Sequence, residues 1–246
     1  MMSFFFSKIN LSEFQLDQTN IQELNERTLV VRKWNWEYGM AHKFQRKCLE
    51  LLEDAPHTRI IICCSHPRIF TNGRGLQKPK KGETLNLVEF DKSQANSLPY
   101  PFYQIERGGG LTFHHPGQMI IYPIVRLNPK NLSLSTMIND LFDLTIASLK
   151  DWGLEGLNHE NKLLGLWYGD KKLASMGIAI EKLTTFHGMA LNFFKDDEMK
   201  QALNAVNPCG LNAETYTSVE ELINLKNRTL DNFADLFLRR LSHAWK

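Results

Sequence analysis

Hydrophobic and polar positions along the chain alternate between two periods. Residues 34–53 carry Trp36, Met40, Phe44, Cys48, Leu51 and Leu52 close to a 3.6-residue repeat and stop before Asp54-Ala55-Pro56, which predicts a helix. Arg59–Cys64 is a short apolar run ahead of Ser65-His66-Pro67 and reads as a buried central strand, with Cys63 and Cys64 as small buried hydrophobes. Residues 71–96 are polar and punctuated by glycine and proline, as a loop is, and Arg74, Lys78, Lys80 and Lys81 make that loop basic. Such charge suits steering of an acidic protein partner.

Residues 101–106 and 118–127 read as strands on either side of the glycine-rich stretch 108–117. Residues 133–152 place Leu134, Met137, Ile138, Leu141, Leu144, Leu149 and Trp152 on one stripe, with Gly153 where a helix C-cap belongs. Residues 164–168 and 171–181, joined by Gly169-Asp170, predict a β-hairpin, and 187–194 a further strand. A short helix over 196–205, a turn at Asn207-Pro208-Cys209-Gly210 and a closing helix over 230–245 complete the pattern. The expected fold class is α/β (α+β), a mixed β-sheet flanked by helices, with all 246 residues in one domain.

Composition narrows the function classes. With 29 Lys+Arg against 27 Asp+Glu the net charge is +2, which argues against a nucleic-acid binder. The four cysteines form no C-x-x-C pair, so neither a disulfide framework nor a zinc finger is expected. No apolar run approaches the ~18 residues of a membrane span, and 1–17, with one lysine and no arginine, makes a poor transit peptide. These features together predict a soluble, cytoplasmic protein.

Four segments carry candidate chemistry. In Arg107-Gly108-Gly109-Gly110-Leu111-Thr112-Phe113-His114-His115-Pro116-Gly117-Gln118 adjacent glycines let backbone N–H groups approach a ligand, with Arg107 and His114 as polar anchors. The stretch is neither a dinucleotide fingerprint nor a Walker loop. In Lys171-Lys172-Leu173-Ala174-Ser175-Met176-Gly177, alternation puts Lys172 with Ala174, Met176, Ile178 and Ile180, and Lys171 with Leu173, Ser175, Gly177 and Ala179. Cys209, between proline and glycine in a turn, sits where scaffolds present reactive groups. In His187-Gly188-Met189-Ala190-Leu191-Asn192, Gly188 and Ala190 share a face, and with Ser175, Gly177 and Ala179 they predict a backbone-lined slot wide enough for a linear aliphatic chain.

Together these segments resemble the lipoyl(octanoyl) transferase family, whose pattern is R-G-G-x-x-T-(F/Y)-H-G-P-G-Q, K-(I/L)-A-x-(I/L/M)-G, H-G-x-A-L-N and P-C-G followed by T-S, here Thr217-Ser218. The resemblance spans about residues 30–225. Two departures stand out. His115 replaces a glycine, a change that histidine's tolerance of positive φ softens, and the family's E-H-P-P appears as Ser65-His66-Pro67-Arg68.

The resemblance implies a biotin/lipoate ligase-like fold and transfer of an octanoyl group from octanoyl-acyl carrier protein to a lysine of a lipoyl domain, in lipoate biosynthesis. The acceptors it implies are the lipoyl domains of 2-oxoacid dehydrogenase complexes and the glycine cleavage H protein. It implies Cys209 as acylated nucleophile and Lys172 as the group that lowers its pKa, with no metal or cofactor, no nucleic acid and no membrane. Substrate contacts are expected from Arg107, Gly108, Gly109, Gly110, Leu111, Thr112, Phe113, His114, Ser175, Met176, Gly177, Gly188, Met189 and Ala190. Two alternatives stay open: an ATP-dependent lipoate or biotin ligase, toward which Gly110 leans, and a non-catalytic acyl or lipoyl-domain binding protein.

Overall fold

The computed structural model describes residues 5–75, 90–159, 164–206 and 213–245. The first strands, β1 (Ile21–Asn25) and β2 (Thr28–Lys33), form a hairpin, and α1 (Tyr38–Asp54) follows β2. Asn35 turns the chain between them at φ +50°, and the Glu37 carboxylate accepts from the N–H groups of Gly39 and Met40 at 2.8 and 2.7 Å. The helix therefore begins at residue 38, four positions after the sequence pattern suggests, because the N-terminal half of that pattern is spent on this turn.

Strands β3 (Arg59–Cys64), β4 (Ile69–Gly75), β5 (Phe102–Gln104), β6 (Gly109–His114) and β7 (Gln118–Ile124) come next. They precede α2 (Leu134–Lys150), which Ser133 caps through the Thr136 N–H at 3.1 Å and which Gly153 leaves at φ +91°. Then follow β8 (Leu157–His159), β9 (Gly165–Tyr168), β10 (Lys171–Glu181), β11 (Thr184–Asn192), α3 (Asp197–Val206), α4 (Val219–Leu222) and α5 (Leu230–Ala244).

Eight strands make a mixed sheet in the order β1-β2-β3-β7-β11-β10-β9-β8, and β5-β4-β6 make a smaller one. Only β2 and β3 pair in parallel within the large sheet. Both faces of β3 are buried, as a central strand demands. Ile60, Ile62 and Cys64 pack with Phe44, Cys48 and Leu52 of α1, whereas Ile61 and Cys63 join Leu141 of α2 and Phe233 and Phe237 of α5. This is the expected α/β (α+β) mixed sheet with flanking helices.

Two expectations need correction. The glycine-rich stretch is not a connection between strands: residues 109–114 are themselves β6, paired antiparallel with β4. Residues 71–75 likewise belong to β4, because Ile69, Phe70 and Thr71 are buried between β5 and β6. Lys78, Lys80 and Lys81 lie outside the described residues, while Arg74 is exposed. No helix among the described residues is long and apolar enough to cross a membrane.

Candidate active site

The α1 side of the large sheet carries the site. On β10 and β11, Ser175 pairs with Ala190 and Gly177 with Gly188, so four small residues are neighbours across the two strands. Together with Arg107, Thr112, His114, Tyr38, Tyr122, Met176 and Met189 they line a narrow, partly open cleft. A second cleft shares Thr112, Ser175 and Ala190 with the first and adds Leu111 and Phe113. A Cβ on Gly177 would stand 2.7 Å from Cδ of Arg107, so a larger residue there cannot coexist with the arginine in its place.

Lys172 sits on this face for a reason alternation misses. Against β9, Lys172 pairs with Trp167 while Ala174 pairs with Leu166, so Leu173 is an extra residue in β10. A bulge of this kind reverses the inward and outward phase beyond it. Lys172 therefore shares the face of Ser175 and Gly177, not that of Ala174, Met176, Ile178 and Ile180, and Lys171 takes the opposite one. The Lys172 side chain is 9% exposed, and its Nζ lies 5.5 Å from the Trp167 ring centroid.

Arg107, also buried, organises β6. Its Nη1 donates to the carbonyls of Gly108 and Gly110, both at 3.0 Å, and its Nη2 to Thr71 O and Oγ1, both at 2.9 Å. From Thr71 a buried chain of hydrogen bonds runs across the molecule. His114 Nε2 meets Thr71 Oγ1 at 3.2 Å, and His114 Nδ1 meets Gln118 Oε1 at 2.9 Å. Gln118 Nε2 donates to Asn192 Oδ1 at 2.9 Å, and Asn192 Nδ2 to Thr217 O at 3.0 Å. Thr217 N–H closes on Lys172 O at 3.1 Å. The amide oxygen of Gln118 only accepts, so His114 carries its proton on Nδ1 and receives the Thr71 hydroxyl on Nε2. One relay thus ties the arginine of the glycine-rich motif to the backbone of the lysine.

Beneath the cleft, His66 bridges Trp36 O at 2.7 Å through Nδ1 and the Tyr122 hydroxyl at 2.9 Å through Nε2. Burial disfavours the imidazolium of His66, lowering its pKa from 6.5 to about 4, and holds His114 well below its usual value for the same reason. An unfolded chain takes up these protons below pH 6.5, whereas the folded one refuses that of His66 until about pH 4 and likewise resists protonation of His114. Stability is therefore fully present above 6.5 and falls as the pH drops toward 4, by about 3 kcal/mol for His66 alone. Urea unfolding at pH 7.5 and 4.5 checks this: the midpoint should drop in the parent and drop less in His66→Gln.

Comparison with known proteins gives this geometry a family. Residues 37–242 match the lipoyl protein ligase A/B catalytic domain. The chain belongs to that family. An octanoyltransferase of Syntrophobacter fumaroxidans is 32% identical over 189 residues, 76% of this chain and 77% of that protein. A chloroplastic octanoyltransferase of Arabidopsis thaliana is 28% identical over 212 residues, 86% and 70% of the two chains. Among solved structures, lipoate-protein ligase A bound with ATP superposes with a TM-score of 0.62 at 14% identity, over 88% of this chain and 84% of that one. A lipoate protein ligase from Thermoplasma acidophilum gives 0.60 at 14%, over 90% and 84%. These two likenesses show the shared fold. As a member of this family the chain is an acyl-transferring enzyme.

The departures from the lipoyl(octanoyl) transferase pattern have local explanations. Ser65 Oγ accepts the Asn35 N–H at 2.8 Å, and Ser65 O accepts that of Trp36 at 2.8 Å, which fixes the turn ahead of α1. Arg68 and His115 converge on Asp196, which begins the segment leading into α3. Arg68 Nε and Nη2 reach Asp196 Oδ2 at 3.1 and 2.9 Å, and His115 Nδ1 lies 3.7 Å from the same oxygen. Burial lowers the His115 pKa to about 4, with Asp196 opposing and Arg68 adding to the effect. Of the two histidines His115 and His187, it is His187, at φ +57°, that takes the left-handed region.

Of the expected substrate-contacting residues, Arg107, Thr112, His114, Ser175, Met176, Gly177, Gly188, Met189 and Ala190 meet at the first cleft and Leu111 and Phe113 at the second. Gly108, Gly109 and Gly110 line neither; Gly109 takes φ +84°, and Gly108 and Gly110 give their carbonyls to Arg107. Tyr38, Ile120 and Tyr122 also line the first cleft and have no motif to flag them. Cys209 lies outside the described residues. The other cysteines, Cys48, Cys63 and Cys64, are fully buried, and desolvation raises all three thiol pKa values, that of Cys63 to about 12. None of those three is a nucleophile at neutral pH.

Proposed function

We propose that this enzyme transfers an octanoyl group from octanoyl-acyl carrier protein to a lysine of a lipoyl domain through a thioester on Cys209. The Cys209 thiolate attacks the carrier thioester carbonyl, a new C–S bond forms, and the carrier thiolate leaves and takes a proton. The acceptor lysine amine then attacks the acyl-enzyme, an amide C–N bond forms, the C–S bond to Cys209 breaks, and the amine proton passes to a base. Lys172 stabilises the thiolate and carries these protons. The observation that supports this reading most is the juxtaposition on one sheet face of Lys172 with the small-residue cleft of Ser175, Gly177, Gly188 and Ala190. Ser175 and Ala190 keep the cleft wall small, which suits an unbranched acyl chain, while the missing side chain of Gly177 makes room for Arg107 and that of Gly188 for the backbone of β7. Relatives named octanoyltransferase, at 28–32% identity, point the same way.

The likeness in fold to a ligase bound with ATP favours one other reading, adenylation of a free acid before transfer. Intact mass spectrometry separates the two. Mixing the protein with octanoyl-acyl carrier protein, without ATP, is expected to add the mass of one octanoyl group to the chain, and addition of a lipoyl domain should move that mass to the acceptor. Product formed only when ATP and free octanoate or lipoate are supplied would establish the ligase instead.

A further inference from the structure

Beside the first cleft stands a group of side chains that the transfer reaction does not use. His42 projects from α1, Glu106 precedes Arg107, and His187 lies in β11, and one ligand atom from each falls within 4.8 Å of the others. His42 Nε2 is 3.0 Å and His187 Nε2 3.5 Å from the same oxygen, Glu106 Oε2. We infer that His42, Glu106 and His187 form a binding site for a divalent transition-metal ion of the Zn²⁺ class.

Three observations carry the inference. The first is spacing: metal–ligand bonds of ~2.0–2.2 Å set two donors of a tetrahedral zinc about 3.3–3.6 Å apart; the His187–Glu106 separation of 3.5 Å falls in that range, the His42–Glu106 separation of 3.0 Å is slightly short of it, and all three donors lie within 4.8 Å of one another. The remaining adjustment falls on Glu106 and His42, whose side chains are 33% and 21% exposed and have room to turn.

The second is His187 Nε2, which is buried and makes no hydrogen bond among the described residues, although buried polar atoms almost always make one. It faces the shared carboxylate at 3.5 Å, longer than a well-formed hydrogen bond. The third is strain. His187 is held at φ +57° in the middle of a strand, and its N–H donates to Gln45 Oε1 of α1 at 2.8 Å. A non-glycine residue in this region costs of order 1–3 kcal/mol and persists where surrounding structure over-determines it.

The ligand chemistry selects the ion. Two imidazoles with one carboxylate suit zinc, cobalt or nickel and not magnesium or calcium, which prefer oxygen. Three protein ligands leave at least one coordination position open, and His187 lines the cleft, so that position is at the cleft's edge.

The test is calorimetric titration of Zn²⁺ into the full chain carrying Cys209→Ser, which removes the cysteine that is not among the buried three. One ion per chain with a micromolar or tighter Kd is expected, and Co²⁺ in its place should show the visible absorption of a low-coordinate site. His42→Ala keeps a good helix former in α1, and Glu106→Gln keeps shape while removing charge. Each should weaken Zn²⁺ binding by at least ~10-fold, the lower end of what even outer-shell losses cost. Absence of binding up to millimolar Zn²⁺, or equal affinity in parent and both variants, would show that these groups only hydrogen-bond to one another. Because the readout is metal affinity, the result is independent of whether Cys209 carries an acyl group.

Discussion

Cys209→Ser is expected to lower acyl transfer by at least ~10³-fold, the scale on which removal of a nucleophile acts when its supporting groups remain. The reason lies in the leaving group and the nucleophile alike. A thiolate is present in useful amounts near neutral pH and attacks a thioester at little cost, whereas a serine hydroxyl needs a base to remove a far more tightly held proton. The substitution also predicts a qualitative result, loss of the octanoyl adduct in intact mass spectra. Cys63→Ser and Cys64→Ser are the controls. Both thiols are fully buried in the β3 core, so a hydroxyl there costs ~1–3 kcal/mol of stability while leaving the specific activity of the folded fraction unchanged. Full activity in Cys209→Ser, or an octanoyl adduct on it, would remove the covalent mechanism.

The parts of this molecule legible in the sequence are those where burial and periodicity coincide. Arg59–Cys64 is a central strand with both faces covered, and an uninterrupted apolar run is its expected signature. The stripe behind α2 has the same directness, because a helix lying on a sheet must present one apolar face. Strands β1 and β2 go unread. In β1 only Ile21 is buried, and the short apolar core of β2 suits a helix as well as a strand.

The site was legible as motifs but not as geometry. Sequence spacing gathers Ser175, Gly177, Gly188 and Ala190 because strict alternation holds from residue 174 onward through the paired strands. It misplaces Lys172 because one inserted residue, Leu173, shifts the phase, and a bulge is fixed by pairing with β9 that no local pattern encodes. The meeting of Arg68 and His115 at Asp196 is likewise invisible, since the three positions are scattered along the chain and their proximity comes from the fold. His42 and Glu106 fall outside every motif for the same reason.

The corrected position of Lys172 sharpens what its removal should do. An ammonium ~4 Å from a thiolate at an effective dielectric of ~20 contributes roughly 4 kcal/mol, about three pKa units before desolvation opposes it. Retaining a third of that moves a thiol from near 8.5 by about one unit and raises the thiolate fraction at neutral pH from a few per cent to a few tens of per cent. Lys172→Met should therefore displace the pH profile of Cys209 alkylation by iodoacetamide upward by about one unit and slow acylation at pH 7 about tenfold. The effect should fade as pH rises past the shifted profile, because the thiolate then forms without help. A packing defect would lower the rate at every pH, so the shape of the profile separates charge from structure. Lys171→Met is the matched control: the bulge sets it on the face of β10 opposite Lys172, its Nζ is engaged by Glu214 O at 2.8 Å, and its loss should leave the profile in place. Overlay of the Lys172→Met and parent profiles, or a shift produced by Lys171→Met instead, would show that the charge acting on Cys209 comes from elsewhere.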